Sequence, residues 1–212
     1  MLKKYNDFIK ESSVLLAPNG NPSNLNSIQW HLVRTPEFKN WFGDWENNKG
    51  SKVLDENGEP MVMYHGSYKQ FFEFDINSEK VQRTNNFSGF YFTAFKDEAE
   101  KYYENGYIYE CFLNLRKPIS NNKPSDSAIK YIEDKYKNKY EEMYLRGKLK
   151  NLKSSWWVSF MDGMDSTKMA IIDGFDGFFD GAYEVCVFYP NRIKLADGSN
   201  TTFDVNNDDI RK

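Results

Sequence analysis

The 212-residue sequence predicts an α+β domain. Two observations about period carry that reading. Apolar residues recur at helical spacing before residue 51 and again between about 124 and 172. From residue 51 the period changes to short apolar runs of strand length, bounded by Asn-Gly and glycine. The third observation is composition. With 40% hydrophobic and 28% charged residues and no uninterrupted apolar run of about 18, the chain is neither disordered nor transmembrane. Its length allows roughly 70% of the unfolded surface to be buried.

The elements follow in order. Leu2, Tyr5, Phe8 and Ile9 sit at helical spacing in residues 2–16, and the Pro18-Asn-Gly-Asn-Pro22 cluster ends that helix and marks a linker. A short helix over 24–33 carries Leu25, Ile28, Trp30 and Leu32. Thr35, Pro36 and Glu37 supply an N-cap, a first-turn proline and an early acid for a helix bearing Phe38, Trp41 and Phe42, which stops at Gly43. Val53-Leu54 and Met61 to Tyr64 flank Asn57-Gly58, a dipeptide suited to positive φ, so a β-hairpin is expected, its second strand running into His65-Gly66-Ser67. A strand over 89–93, a helix from Lys96 to Glu104 and a long strand from Tyr107 to Leu115 come next. Residues 124–153 place Tyr136, Tyr140, Met143 and Tyr144 at helical spacing, and Thr167 to Ile172 adds a shorter helix. Strands return at Phe178-Phe179 and Tyr183 to Tyr189, with edge strands at Arg192 to Leu195 and Thr201 to Phe203. The expected organisation is an N-terminal helical extension (1–50), a main domain (51–204) with a helical insertion (about 124–172), and a flexible polar tail (205–212).

Charge and cysteine usage bound the functions. A net charge of −3 removes the case for a generally cationic nucleic-acid binder and leaves open a local basic surface. Lys135, Lys137, Lys139, Arg146, Lys148, Lys150 and Lys153 could form one on the insertion, but Glu133, Asp134, Glu141 and Glu142 interleave with them, as on a solvated helix face. The only cysteines, Cys111 and Cys186, lie in apolar strand-like segments, which suits a reducing compartment rather than a disulfide scaffold. With two histidines and neither CxxC nor HxxxH spacing, no metal site is expected. The acid-rich stretch from Asp173 to Asp180 fails as an EF-hand because Phe175 holds its third position and no glutamate its twelfth, so it reads as turns. The apolar stretch Val14 to Ala17 is too short for a secretory signal. At 17% aromatic the chain could stack on a flat ligand or simply pack an aromatic core.

Three residue types look out of place. Glu184 is a carboxylate within the apolar run from Ala182 to Phe188, where an unpaired buried charge would cost several kcal/mol. It either faces solvent, pairs with Lys194 or Arg192, or stands at the floor of a cleft. His65 ends an apolar strand before Gly66, where backbone can approach a ligand, and Ser67, which adds a hydroxyl; packing at a strand end is the alternative. Tyr91, between Phe90 and Phe92, reads by itself as core, and Tyr102 and Tyr103 as packing on a sheet.

Taken together these residues match a known arrangement. Tyr64-His65-Gly66-Ser67 is a strand ending in a His-Gly-Ser triplet, and Gly89-Phe90-Tyr91-Phe92 is a Gly-hydrophobic-Tyr-Phe strand with a second tyrosine, Tyr102, eleven residues after the first. The late strand Tyr183 to Phe188 carries Glu184. In this order the motifs resemble the His-Tyr-Glu group of ADP-ribosyltransferases, the group of diphtheria toxin and the poly(ADP-ribose) polymerases. The chain is most similar to the ADP-ribosyltransferase domains of phage polyvalent proteins, also through Arg34 to Phe38, Trp41 to Trp45, Phe175-Asp176-Gly177 and Tyr189 to Lys194. The resemblance covers about residues 23–204. One departure is Ala99, where many polymerase-type members place a serine that bonds the nicotinamide amide. The rival Arg-Ser-Glu group would need an acid or amide at Ala182.

The resemblance implies a split mixed β-sheet and NAD as substrate without a metal. It implies that Glu184 bonds the ribose 2′-hydroxyl and stabilises an oxocarbenium-like state, and that His65 fixes the adenosine-side ribose. Gly66 would pair its backbone with the carboxamide, while Tyr91 and Tyr102 sandwich the nicotinamide ring. Tyr64, Ser67 and Phe92 complete the expected NAD contacts. The implied reaction moves ADP-ribose to a macromolecular acceptor, a host protein in the first instance, with nucleic acid possible through the insertion and no membrane partner. NAD hydrolysis and a silent NAD-binding or interaction module are the alternatives. The implied setting is the cytoplasm, that of a bacterial host if the gene is a phage's.

Overall fold

The computed structural model describes residues 14–82, 87–102, 106–119, 122–181 and 183–212. The helix expected from Leu2, Tyr5, Phe8 and Ile9, and the residue Tyr103, fall outside these. Two capped helices open the described chain. Asn26 accepts from the Gln29 N–H at 2.9 Å while the Gln29 side chain accepts from the Asn26 N–H at 3.1 Å, a closed capping box on α1 (Ser27–Leu32). Thr35 Oγ1 caps α2 (Pro36–Phe42) at the Phe38 N–H, with Pro36 in the first turn. Gly43, at φ +100°, ends α2 and starts a two-residue ladder, β1 (Gly43–Asp44) with β2 (Lys49–Gly50). A Cβ on Gly43 would lie 2.4 Å from the Gly50 Cα, so this crossing requires glycine.

Two sheets form the centre. The first, antiparallel in the order β3-β5-β9, consists of β3 (Met63–Ser67), β5 (Tyr107–Leu113) and β9 (Ile193–Leu195). The second runs β4-β8-β7-β6, from β4 (Phe90–Phe92), β8 (Val185–Val187), β7 (Gly177–Phe179) and β6 (Pro118–Ile119), with only β6 and β7 parallel. Tyr64 and Thr93 exchange backbone hydrogen bonds of 2.7 and 3.1 Å, which join the sheets at one point. The two-residue strand period sorts the side chains. Tyr109, Cys111 and Leu113 meet Phe90, Phe92, Val185 and Val187 in a shared core, while Phe112, on the opposite face of β5, packs against Phe38 and the other rings of α2. Phe38, Trp41, Phe42 and Trp45 are all buried there. The segment expected as an N-terminal extension thus covers one face of the first sheet.

The expected β-hairpin is reduced to its turn. Gly58 takes φ +80°, and the Asp55 carboxylate accepts from the N–H groups of Asn57 and Glu59. The arms share one bridge, Leu54 with Pro60, because Pro60 has no N–H to extend a ladder and Met63 onward pairs with β5 instead. Glu59, fully buried, pairs with Arg34 at 2.8 Å, and that guanidinium lies over Trp30 at 3.7 Å.

A short helix, α3 (Glu79–Gln82), precedes β4, and α4 (Lys96–Glu100) follows it. The segment expected as a helical insertion contains α5 (Asp126–Tyr136) and α6 (Glu142–Leu152), which share a core with α7 (Gly163–Ile172) through Ile132, Tyr136, Leu145, Leu149 and Met169. Buried Asp165 accepts from Tyr136 Oη at 2.6 Å and pairs with Lys135. Among the described residues no helix is long and apolar enough to cross a membrane.

The C-terminal end departs from both expectations. Thr201 to Phe203 forms no strand: the buried Asn200 side chain accepts from the N–H groups of Thr202 and Phe203, and Phe203 turns at φ +45° into the helix-covered core. Residues 205–212 are packed, not frayed. Ile210 is fully buried, and its backbone bonds both Phe72 and Leu195 at 2.9 Å. Fully buried Lys194 donates to the carbonyls of Asn207 and Asp209, so the polar tail satisfies a buried cation that the sheet edge would otherwise leave unpaired.

Candidate active site

A cleft of about 1430 Å³ opens where the two sheets part, and all eight residues singled out for it line its walls. β3 brings Tyr64, His65, Gly66 and Ser67; β4 brings Tyr91 and Phe92; Tyr102 follows α4 and Glu184 precedes β8. Residues distant in sequence therefore converge because, among the described residues, β3 and β4 are tied by backbone bonds only at Tyr64 and Thr93 and diverge beyond.

That divergence leaves backbone exposed to the cleft. Tyr64 spends its N–H and C=O on Thr93, so by the two-residue period Gly66 turns its own groups to the same side. Among the described residues no backbone bond reaches Gly66 from that side. Helix α4 presses on the same glycine. A Cβ there would stand 2.1 Å from the Ala99 carbonyl oxygen and 3.4 Å from the Tyr102 Cβ. Ala99 is itself buried, so its small side chain belongs to the contact that seats α4 against β3.

His65 is held as a neutral ring. Its Nδ1 lies 2.8 Å from the Tyr91 carbonyl oxygen, an atom that only accepts, so the proton sits on Nδ1 and Nε2 keeps its lone pair. Phe74 and Phe92 stand 5.1 and 5.3 Å away, and burial pushes the imidazole below its ordinary pKa. Phe92 is buried in the core and supports His65 from behind. Tyr91 donates its hydroxyl to the Phe87 carbonyl at 2.6 Å, and burial raises its pKa. Ser67 donates to the Lys69 carbonyl at 2.9 Å, so its hydroxyl closes a turn at the cleft wall. Tyr102 is 75% exposed, a free face beside Gly66.

Glu184 lies one residue before β8, not within a strand from Tyr183, and is exposed. The Asp180 carboxylate takes its N–H at 2.8 Å, and the intervening Gly181 turns at φ +117°. The period of β8 puts Glu184 on the side of Cys186, which pairs across with Tyr91. Desolvation and the Asp180 charge raise its pKa. Neither cationic partner considered for it is used: Lys194 is bound to carbonyls, and Glu184 makes no ion pair among the described residues. The carboxylate stands at the rim of the cleft, near the edge of Tyr91.

Sequence reasoning missed Asp180, which lines the cleft and acts on Glu184. Its Asp-Gly signal reads as a turn, and it is one. Asp173 and Asp176 of the same acidic stretch bond Ser125 and the N–H groups of Arg116 and Lys117. Phe74 and Tyr109 around His65 carry no sequence signal beyond being aromatic. No group of three His, Cys, Asp or Glu able to hold a metal occurs among the described residues.

No curated protein and no solved structure matches the chain. Residues 55–203, more than half of it, match the family described as ADP-ribosyltransferase in polyvalent proteins, and those residues include every wall of the cleft. With the three motifs gathered around one cleft, the chain belongs to that family of ADP-ribosyltransferase domains.

Proposed function

We propose that the cleft binds NAD and that the protein transfers its ADP-ribose to a macromolecular acceptor, releasing nicotinamide. The observation that carries this reading is the convergence of His65, Tyr91 and Glu184 on one cleft from three separate strand regions. A volume of about 1430 Å³ exceeds the roughly 300–1,000 Å³ usual for small ligands and suits an extended dinucleotide.

The N–H and C=O of Gly66, unpaired among the described residues, match the acceptor and donor of a flat carboxamide. Tyr102, exposed over that glycine, and Tyr91 on the neighbouring strand offer faces for the nicotinamide ring. With no serine at Ala99, the amide hold rests on the Gly66 backbone. His65 Nε2 accepts from a ribose hydroxyl, a role that needs the neutral ring its surroundings favour. Glu184 accepts from the 2′-hydroxyl of the nicotinamide-side ribose. As the glycosidic bond breaks, its electron pair leaves with nicotinamide and neutralises the pyridinium, and positive charge spreads over the ribose C1′ and ring oxygen. A carboxylate fixed beside that cation stabilises it more than water does. The acceptor then bonds C1′ and loses a proton.

The test follows nicotinamide release and label transfer from adenine-labelled NAD in a bacterial lysate, with Glu184→Ala as control. Label on a macromolecule, absent with the variant, is the expected result. Nicotinamide without label would replace transfer by hydrolysis. NAD bound without either signal would leave a silent binding module and overturn the enzymatic reading.

A further inference from the structure

A second pocket, of about 440 Å³, lies beyond the other end of β5 and shares no residue with the cleft. Ile108, paired with Gly66, and Asn114, in the pocket, are about 20 Å apart at roughly 3.3 Å per strand residue. Arg116 and Arg192 line it with Asn40, Trp41, Asn114 and Asn191. We propose that this pocket is a phosphate-binding site, distinct from the cleft, in which Arg116 and Arg192 grip the anion.

The hydrogen-bond inventory is what points to an anion. The backbone acceptors at the Trp41 end of the wall are already used. The Trp41 carbonyl accepts from Asn114 Nδ2 at 2.5 Å and from Arg116 Nη2 at 2.7 Å, and the Asn191 carbonyl accepts from the Trp41 indole at 3.0 Å. The donors remain. Arg116, held also by Nε to Asn114 Oδ1 at 3.2 Å, is fixed in direction and keeps its other N–H groups. The Arg192 side chain makes no hydrogen bond or ion pair among the described residues, which leaves its whole fork available. Burial and then the charge of Arg192 push the Arg116 pKa down, against an opposing pull from Asp176, as two like charges close together do. The Asp176 carboxylate, whose charge reaches Arg116, spends its hydrogen bonds on the backbone N–H groups of Arg116 and Lys117 and makes no ion pair with either guanidinium among the described residues. Asn114, almost fully buried, and the indole of Trp41 form a rigid floor, so the site is pre-organised and carries little ordering cost. Two guanidinium forks facing one pocket fit the tetrahedral oxygens of a phosphate group.

The ligand carries a phosphate either as a small ester or as part of a polynucleotide backbone, and two probes separate these. The N–H resonances of Arg116 Nε, Arg192 Nε and the Trp41 indole are followed while inorganic phosphate, then a short oligothymidylate, is added at constant ionic strength in sodium chloride. Both proteins, wild type and Arg192→Gln, are compared; the substitution breaks no side-chain hydrogen bond or ion pair among the described residues and should leave Tm unchanged. The expected result is saturable movement of these resonances with phosphate, weakened about tenfold or more by Arg192→Gln, with the His65 ring unmoved. Tighter binding of the oligothymidylate, lost as salt rises, would assign the phosphate to a nucleic acid backbone; no gain over inorganic phosphate would assign it to a small ester. No saturable shift, or equal affinity in wild type and variant, overturns the proposal.

Discussion

Gly66→Ala tests how the cleft is built. The backbone of Gly66 is not at positive φ, so alanine meets no conformational penalty of its own and the whole cost comes from the contact. The new Cβ would stand 2.1 Å from the Ala99 carbonyl oxygen, where ordinary contact begins at 3.4 Å. The obstacle is helix backbone, and it cannot swing away as a side-chain end would. α4 must therefore recede by more than an ångström, taking with it Tyr102, whose Cβ would stand in contact at 3.4 Å. Overpacking of this kind costs about 1–3 kcal/mol, which for a chain of this size lowers Tm by roughly 2–12 °C. Loss of the Tyr102 face and of the Gly66 backbone edge should weaken NAD by about tenfold or more, since each lost contact is of order 1 kcal/mol. Calorimetry gives the first number and NAD titration the second. A variant with the Tm of the wild type would refute the packing argument; a lowered Tm with unchanged NAD affinity would refute the placement of the nicotinamide against Gly66.

Three further outcomes follow from the same geometry. Glu184→Gln should cut transfer by about 100-fold or more without lowering Tm, because the raised pKa of Glu184 means that its ionised form opposes folding above that pKa and the amide removes this opposition. The acid limb of the pH–rate profile should lie above the ordinary glutamate range, and Asp180→Asn, by removing the neighbouring charge, should move that limb to lower pH; an unmoved limb would separate Asp180 from Glu184. Ile210→Ala should cost about 2–5 kcal/mol and be visible as a clear fall in Tm, whereas a frayed tail would show none.

The sequence alone determined the local pieces and their chemistry. Asn57-Gly58, Thr35-Pro36 and Gly43 signal turns and helix ends by themselves, because backbone dihedral limits and capping act over a few residues. The triplet at His65, the tyrosines and Glu184 were legible as one constellation through their order and their resemblance to a family. What stayed hidden depends on partners far away in the chain. Pro60 ends the hairpin because Met63 onward finds β5, and the tail orders because buried Lys194 needs its carbonyls. Gly66 is required by a helix that follows it by some thirty residues, a contact with no local signature. The neutral state of His65, the exposure of Glu184 and the influence of Asp180 are set by burial and neighbouring charge, quantities that exist only once the two sheets have closed on a common core and parted at the cleft.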